Sequence, residues 1–253
     1  MPVTSDNIIS NKIYALICRS DGIKAKDIAK ELKVDRTTVN RLLYCYPFIH
    51  DLCYRDKDFR WHGYIRQVRP HIGLGEYSGY YSTVKEFLEL SEEEWFETLK
   101  SGCKNIGRNL NDTRGLFHSF KDARETMVNL FADLKEHVDY GDWEIVFELR
   151  IKRSKAIRIY ADVLVITDRY VFSLEFKMKD IIEAEEVLQA GKYCQYQEVI
   201  FGGDYDVIPV LVLTRATDLY TYVPIGKSTA ELPVCSGDML FNIFDEYLEF
   251  LKQ

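Results

Sequence analysis

Zinc-type ligand spacing is missing from this chain. Five histidines and six cysteines (18, 45, 53, 103, 194 and 235) are scattered through 253 residues without one Cys-x-x-Cys pair. That argues against a zinc site. The cysteines read as reduced, mostly buried thiols of a cytoplasmic protein. Long apolar runs are also missing. None approaches the roughly 18 residues of a membrane-spanning helix, so no membrane partner is expected. The opening MPVTSDNIISNK lacks the basic-then-apolar pattern of a secretory signal. Internal repeats and low-complexity segments are absent. Gly73-x-Gly75 has no βα frame around it, which excludes a dinucleotide fingerprint.

An overall excess of positive charge is missing too, since the net charge is −7. Its distribution is uneven. Residues 1–70 hold 13 Lys or Arg against 8 Asp or Glu, a net +5, so the remainder carries −12. A basic N-terminal part on an acidic chain points to nucleic-acid contact through that part.

Apolar residues in the N-terminal part recur at helical spacing. Ile8, Ile9, Ile13, Leu16 and Ile17 predict one helix, stopped by Ser20-Asp21-Gly22. Ile28, Ala29 and Leu32 predict a second. Lys33-Val34-Asp35 is then a turn, with Asp35 as N-cap of a third helix that buries Val39, Leu42 and Leu43. This is helix-turn-helix spacing. The last helix would show Arg36, Thr37, Thr38, Asn40 and Arg41, types that reach phosphates and base edges in a major groove. PFIHDLCY and FRWHGYI flank Arg55-Asp56-Lys57-Asp58 and predict a β-hairpin wing, with Lys57 at its tip. A winged helix over 1–69 is expected. Such modules also make protein–protein or dimer contacts, so a homodimer is compatible with this reading.

Residues 70–83, rich in Gly, Ser and Tyr, read as a linker or ordered loop. A helical connector follows over 84–100, with Ser91-Glu-Glu-Glu opening a new turn. Arg108, Asn109, Asn111 and Arg114 fall in a polar stretch that reads mainly as loop, with phosphate contact near the active site as the second reading. A long helix is expected over about 112–137.

The densest chemistry lies in AIRIYADVLVITDRYVFSLEFKMKD. Asp162 closes one β-type run, and Glu175-Phe176-Lys177 closes the next. Glu175 and Lys177 are two apart, so on a strand they leave the same face. Val163–Ile166 and Val171–Phe176 are nearly continuous apolar runs, which suggests strands buried on both sides. Charges seldom enter such strands without partners. Asp162 and Glu175 suit a hard divalent cation such as Mg²⁺ or Mn²⁺, with the Phe176 carbonyl as a third oxygen. Lys177 could orient a water or neutralise developing charge.

Asp-(x12)-Glu-x-Lys on a hairpin followed by a helix resembles the PD-(D/E)xK nuclease superfamily. Ala161 stands where that name has Pro. Gln189-Ala-Gly-Lys-Tyr193 is similar to the Gln-x-x-x-Tyr motif of several of its branches. Gln189 and Tyr193 share one helix face. The resemblance covers residues 112–215, about two-fifths of the chain. It implies an upstream acid as well. Glu148 is preferred, ahead of Glu125 in the long helix and Glu144. In WEIVFELRI, strand alternation puts 144, 146, 148 and 150 on one face.

DVIPVLVLT and Leu219–Val223 predict further strands, and MLFNIFDEYLEFLKQ a C-terminal amphipathic helix. The expected fold is α/β, a restriction-endonuclease-like mixed sheet of four or five strands flanked by helices over 112–253. The expected function is Mg²⁺- or Mn²⁺-dependent cleavage of DNA, with RNA a lesser option, and the resemblance implies a role in defence against foreign DNA. Two alternatives stay open. One is a regulator whose nuclease-like domain does not cut. The other is a sensor whose nuclease is latent.

Overall fold

A computed structural model of the chain describes residues 5–63, 72–108, 110, 113–153, 158–201 and 205–249. Helix α1 (Ser5–Arg19) buries Ile13, Tyr14, Ile17 and Cys18. It ends before Gly22, whose φ of +88° is cheap only without a side chain. A Cβ there would meet the His62 ring at 2.4 Å. Strand β1 (Ile23–Lys24) leads into α2 (Ala25–Leu32). Lys33 turns the chain at φ +53°. Asp35 then caps α3 (Arg36–Cys45), accepting from Thr37 N at 2.9 Å and Thr38 N at 2.8 Å. Those two bonds hold its carboxyl down at about 2. As predicted, α3 buries Val39, Leu42 and Leu43.

PFIHDL does not form the strand expected of it. It is helix α4 (Pro47–Leu52), with Pro at the first helical position, where its missing N–H costs nothing. The hairpin starts later, as β2 (Cys53–Arg55) and β3 (Arg60–Gly63), and the small sheet runs β1-β3-β2.

After α5 (Ile72–Gly75) comes β4 (Tyr80–Thr83), inside the segment read as linker or loop. Helices α6 (Val84–Glu89) and α7 (Glu92–Asn105) each open on a capping box, Thr83–Glu86 and Ser91–Glu94. Then follow α8 (Thr113–Leu134), β5 (Glu144–Arg153), β6 (Arg158–Ile166) and β7 (Tyr170–Lys177). Helix α9 (Ala184–Phe201), β8 (Asp206–Leu213), β9 (Tyr220–Pro224), β10 (Glu231–Ser236) and α10 (Leu240–Leu248) complete the described order, with a 3₁₀ turn at Gly237–Met239.

These strands make one mixed seven-stranded sheet, ordered β4-β5-β6-β7-β8-β10-β9, rather than the four or five strands expected. Strands β4 to β7 are antiparallel neighbours. Helix α9 carries the chain across, so β8 runs parallel to β7. The strand expected at Leu219–Val223 is β9, and the surplus strands are β4, of four residues, and β10. Tyr80–Thr83 is too short to show period-2 alternation. Its neighbouring glycine permits close packing: a Cβ on Gly102 of α7 would lie 2.0 Å from Gly79 O.

Helices cover both faces. One core gathers Phe147, Val163, Val165, Phe172 and Leu174 against α6, α7, α8 and α10. The other joins Val146, Leu149, Leu164 and Val171 to Tyr196 and Ile200 of α9 and to Ile13, Ile17, Leu42 and Leu52 of the N-terminal module. That module therefore shares a hydrophobic core with the large sheet. Tyr196 OH also donates to Asp51 Oδ2 at 3.4 Å.

Candidate active site

Three carboxylates lie in one row across three adjacent strands. The β6–β7 pair Val163–Leu174 makes Asp162 level with Glu175. The β5–β6 pairs Phe147–Val163 and Leu149–Ala161 put Glu148 level with Asp162. Glu148 is 2 % exposed and Glu175 4 %, while Asp162 is half-buried, so the row opens at its middle member.

Each carboxylate has distinct partners. Asp162, expected to close its run, lies in the middle of β6, and its Oδ2 accepts from Phe176 N near the end of β7 at 2.9 Å. The Phe176 ring lies in the opposite core, while its backbone N–H reaches Asp162. Lys177 Nζ donates to Glu175 Oε1 at 2.8 Å, as the two-residue strand spacing predicts. Gln189 and Tyr193, one turn apart on α9, join the same group. Gln189 Nε2 lies 2.9 Å from Glu175 Oε1 and 2.8 Å from Tyr193 OH. These five residues therefore lie together on one face of the sheet.

Glu148 has φ +56°, a left-handed conformation disfavoured for a side chain of its kind. It breaks the strand's alternation. Val146 faces the N-terminal module and Phe147 the opposite core, yet Leu149 and Ile151 face the module again. Residues 144, 146, 148 and 150 therefore do not share one face along the whole strand, because the left-handed residue rotates β5 at the row. Of the three upstream candidates, Glu148 alone enters the row. Glu125 is exposed on α8, and Glu144 accepts from Tyr81 OH at 3.1 Å.

Arg108, in a stretch that reads mainly as loop, stands against the carboxylates in the structure. Its Nε lies 2.8 Å from Glu148 Oε2, an ion pair too poorly aligned for a hydrogen bond. Its guanidinium stacks 4.7 Å from the Tyr160 ring. Gly107, at φ +73°, and the bond from Arg108 N to Cys103 O at 2.8 Å turn it back from the end of α7. Glu186 was not anticipated either. It is 8 % exposed on α9, with Oε1 2.8 Å from Lys179 Nζ and Oε2 unpartnered. The signal was there as a Glu186–Gln189–Tyr193 helical stripe. Asn109 and Asn111 lie outside the described residues.

Burial dominates the electrostatics. It pushes Glu148 up to about 8, with the Asp162 charge adding to it and Arg108 opposing. Glu175 is pushed up to about 8 by burial and by Asp162, against the pull of Lys177. Asp162 is raised by burial despite Lys177 and its Phe176 hydrogen bond. Burial lowers Lys177, but Glu175 and Asp162 outweigh it and the net shift is upward. Crowded carboxylates short of compensating positive charge are a donor set that a hard cation would relieve. Among the described residues, however, no three His, Cys, Asp or Glu side chains converge at metal-holding geometry. Asp162 and Glu175 fit as a two-carboxylate set. Recruiting Glu148 would require it to leave Arg108.

The other expected contact residues lie on the N-terminal module. Arg36, Thr37 and Lys57 are exposed and Asn40 is half-buried. Thr38 Oγ1 donates to Asp35 Oδ2 at 2.9 Å. Arg41 is held by Asp6 through bonds of 2.8 and 3.0 Å. A shallow cavity of about 510 Å³ lies elsewhere, lined by Lys85, Leu88, Lys135 and Tyr140, and contains no row residue.

No protein-family model matches the chain, and no curated protein does. Among solved structures, the crystal structure of protein VC1899 from Vibrio cholerae is similar at 11 % identity and a TM-score of 0.29. The alignment covers 97 % of this chain and 51 % of that one, so the chain spans about half of that protein's length. No helix among the described residues is long and apolar enough to cross a membrane.

Proposed function

We propose that the chain is a metal-dependent nuclease of PD-(D/E)xK type that hydrolyses phosphodiester bonds, with DNA the preferred substrate. One observation carries the reading: Asp162 of β6 stands level with Glu175 of β7, Lys177 and Gln189 both donate to Glu175 Oε1, and Gln189 links that oxygen to Tyr193 OH. Asp162 and Glu175, with the Phe176 carbonyl, would hold Mg²⁺ or Mn²⁺. When bound, such a cation lowers the pKa of a coordinated water and shields the phosphate.

The chain's own residues do the rest. Lys177, its ammonium kept charged by Glu175 and Asp162, is placed to steady a nucleophilic water and the negative charge that develops on the phosphate. Gln189 fixes the Glu175 oxygen and orients Tyr193 OH. Arg108 supplies a second cation on the Glu148 side of the row, suited to a phosphate oxygen. The N-terminal module, with its α1-β1-α2-α3-α4-β2-β3 order and β1-β3-β2 sheet, supports the winged-helix reading and a role in presenting nucleic acid.

A latent form of the same enzyme is favoured by one feature. Lys177 and Gln189 already occupy Glu175 Oε1, and Arg108 pairs with Glu148, so an entering cation would have to displace these partners. The test is cleavage of plasmid and single-stranded DNA with Mg²⁺ or Mn²⁺ by the wild type and by Asp162→Asn. Scission by the wild type alone supports the assignment. Equal scission by both refutes it.

A further inference from the structure

We propose that the β2–β3 hairpin and Tyr44 form a stacking platform for unpaired nucleic-acid bases. The proposal rests on nucleic acid being this protein's partner, but not on cleavage. Three side chains make the platform. The Arg55 guanidinium lies 5.6 Å from the Tyr44 ring and 4.9 Å from the Phe59 ring. Arg55 Nη1 also donates a short hydrogen bond to Tyr44 OH. Behind them, Tyr44 meets the buried Trp61 edge-on at 5.2 Å. The series Trp61, Tyr44, Arg55, Phe59 therefore runs from core to solvent. It ends on a ring that is 63 % exposed.

Phe59 is costly where it stands. Its φ is +61°, at the hairpin position where Gly or Asn is usual. The turn is held around it. Asp56 accepts from Asp58 N at 2.9 Å and Arg60 N at 2.8 Å, and meets His62 Nε2 at 3.0 Å. A strained backbone carrying a large exposed aromatic is a combination that folding alone does not favour. The hairpin also carries exposed Lys57 and Arg60, the latter donating to Gly22 O at 3.4 Å. Cations beside open aromatic faces suit a polyanion whose planar bases are free to stack.

Unpaired bases fit better than a duplex groove. In a duplex the base faces are covered by neighbouring bases. The helix expected to read a groove is also partly committed: Arg41 is held by Asp6 and the Thr38 hydroxyl by Asp35.

The test is fluorescence anisotropy in EDTA, so that cleavage plays no part. The probes are oligo-dT and oligo-rU of about 15 nucleotides and a duplex hairpin of equal charge. The proteins are wild type, Phe59→Ala, Phe59→Gly, Arg36→Ala and Lys121→Ala. Wild type is expected to prefer both single strands to the hairpin. Phe59→Ala and Phe59→Gly should each weaken single-strand binding about tenfold. Lys121→Ala, an exposed cation on α8 outside both sites, should not. Phe59→Gly should melt at or above the wild-type temperature, because Gly relieves the left-handed position. Lost binding with an intact or firmer fold separates function from packing. Wild-type affinity in the Phe59 variants overturns the proposal. So does duplex preference lost in Arg36→Ala. Failure of wild type to bind any probe, with self-association in sedimentation velocity, would make the patch a contact between copies and equally overturn it. Binding without cleavage under any cation would instead count against the nuclease reading alone.

Discussion

Raising the pH in the absence of divalent cations should destabilise this protein. Glu148 and Glu175 each stand at about 8 when folded, against an ordinary 4.5. Between those values the folded state holds protons that the unfolded state has released. Stability is therefore fully present below about 4.5 and is lost as the pH rises through about 8. One group shifted that far contributes about 5 kcal/mol. The two carboxylates repel through the same row, so the sum is closer to one such term than to two. For a chain of this size each kcal/mol moves the melting temperature by about 2–4 °C. A fall of about 10 °C is expected between about pH 5.5 and about pH 8.5 in EDTA. Differential scanning fluorimetry measures it. Glu175→Gln, which keeps the shape but cannot ionise, should remove about half of the slope. Adding Mg²⁺ at the alkaline end should restore the wild type, since the cation binds the ionised row of the folded state only. A melting temperature that rises with pH in EDTA, or a wild-type slope in Glu175→Gln, would refute the reasoning.

Other consequences can be checked separately. Arg108→Ala should lower kcat/KM for cleavage at least about tenfold, with Arg108→Lys intermediate, since lysine keeps the charge but not the stacked fork. Full activity in Arg108→Ala would remove it from the site. Gly102→Ala drives a methyl to within 2.0 Å of Gly79 O, and overpacking of this kind costs about 1–3 kcal/mol. Its melting temperature should drop by at least about 2 °C, and an unchanged value would mean that α7 and β4 are less tightly docked. Removing residues 1–63 should abolish cooperative unfolding, because Val146, Leu164 and Val171 lose Ile13, Ile17 and Leu42 from their core. A soluble, cooperatively melting fragment over 72–253 would show that the two parts fold independently.

Much of the site was legible because its signals are local. Strand period fixes Glu175 beside Lys177, helix period fixes Gln189 beside Tyr193, and capping chemistry fixes Asp35. What escaped depends on contacts distant in sequence. Arg108 reaches Glu148 across 40 positions through a glycine-turned loop that carries no periodic signal. Strand β4 looked like linker because the glycine beside it serves close approach to α7 rather than flexibility. The left-handed Glu148 inverts the facing of β5 at one residue, which alternation cannot anticipate. PFIHDL was misjudged because its proline opens a helix.

The central claim is best tested by strand scission itself. Wild type, Asp162→Asn and Lys177→Met, each confirmed folded by circular dichroism, are incubated with supercoiled plasmid and single-stranded DNA in Mg²⁺, Mn²⁺ or EDTA. The account predicts cation-dependent scission by the wild type, none in EDTA, and a loss of at least about 100-fold in each variant. Scission by the variants at the wild-type rate would contradict it.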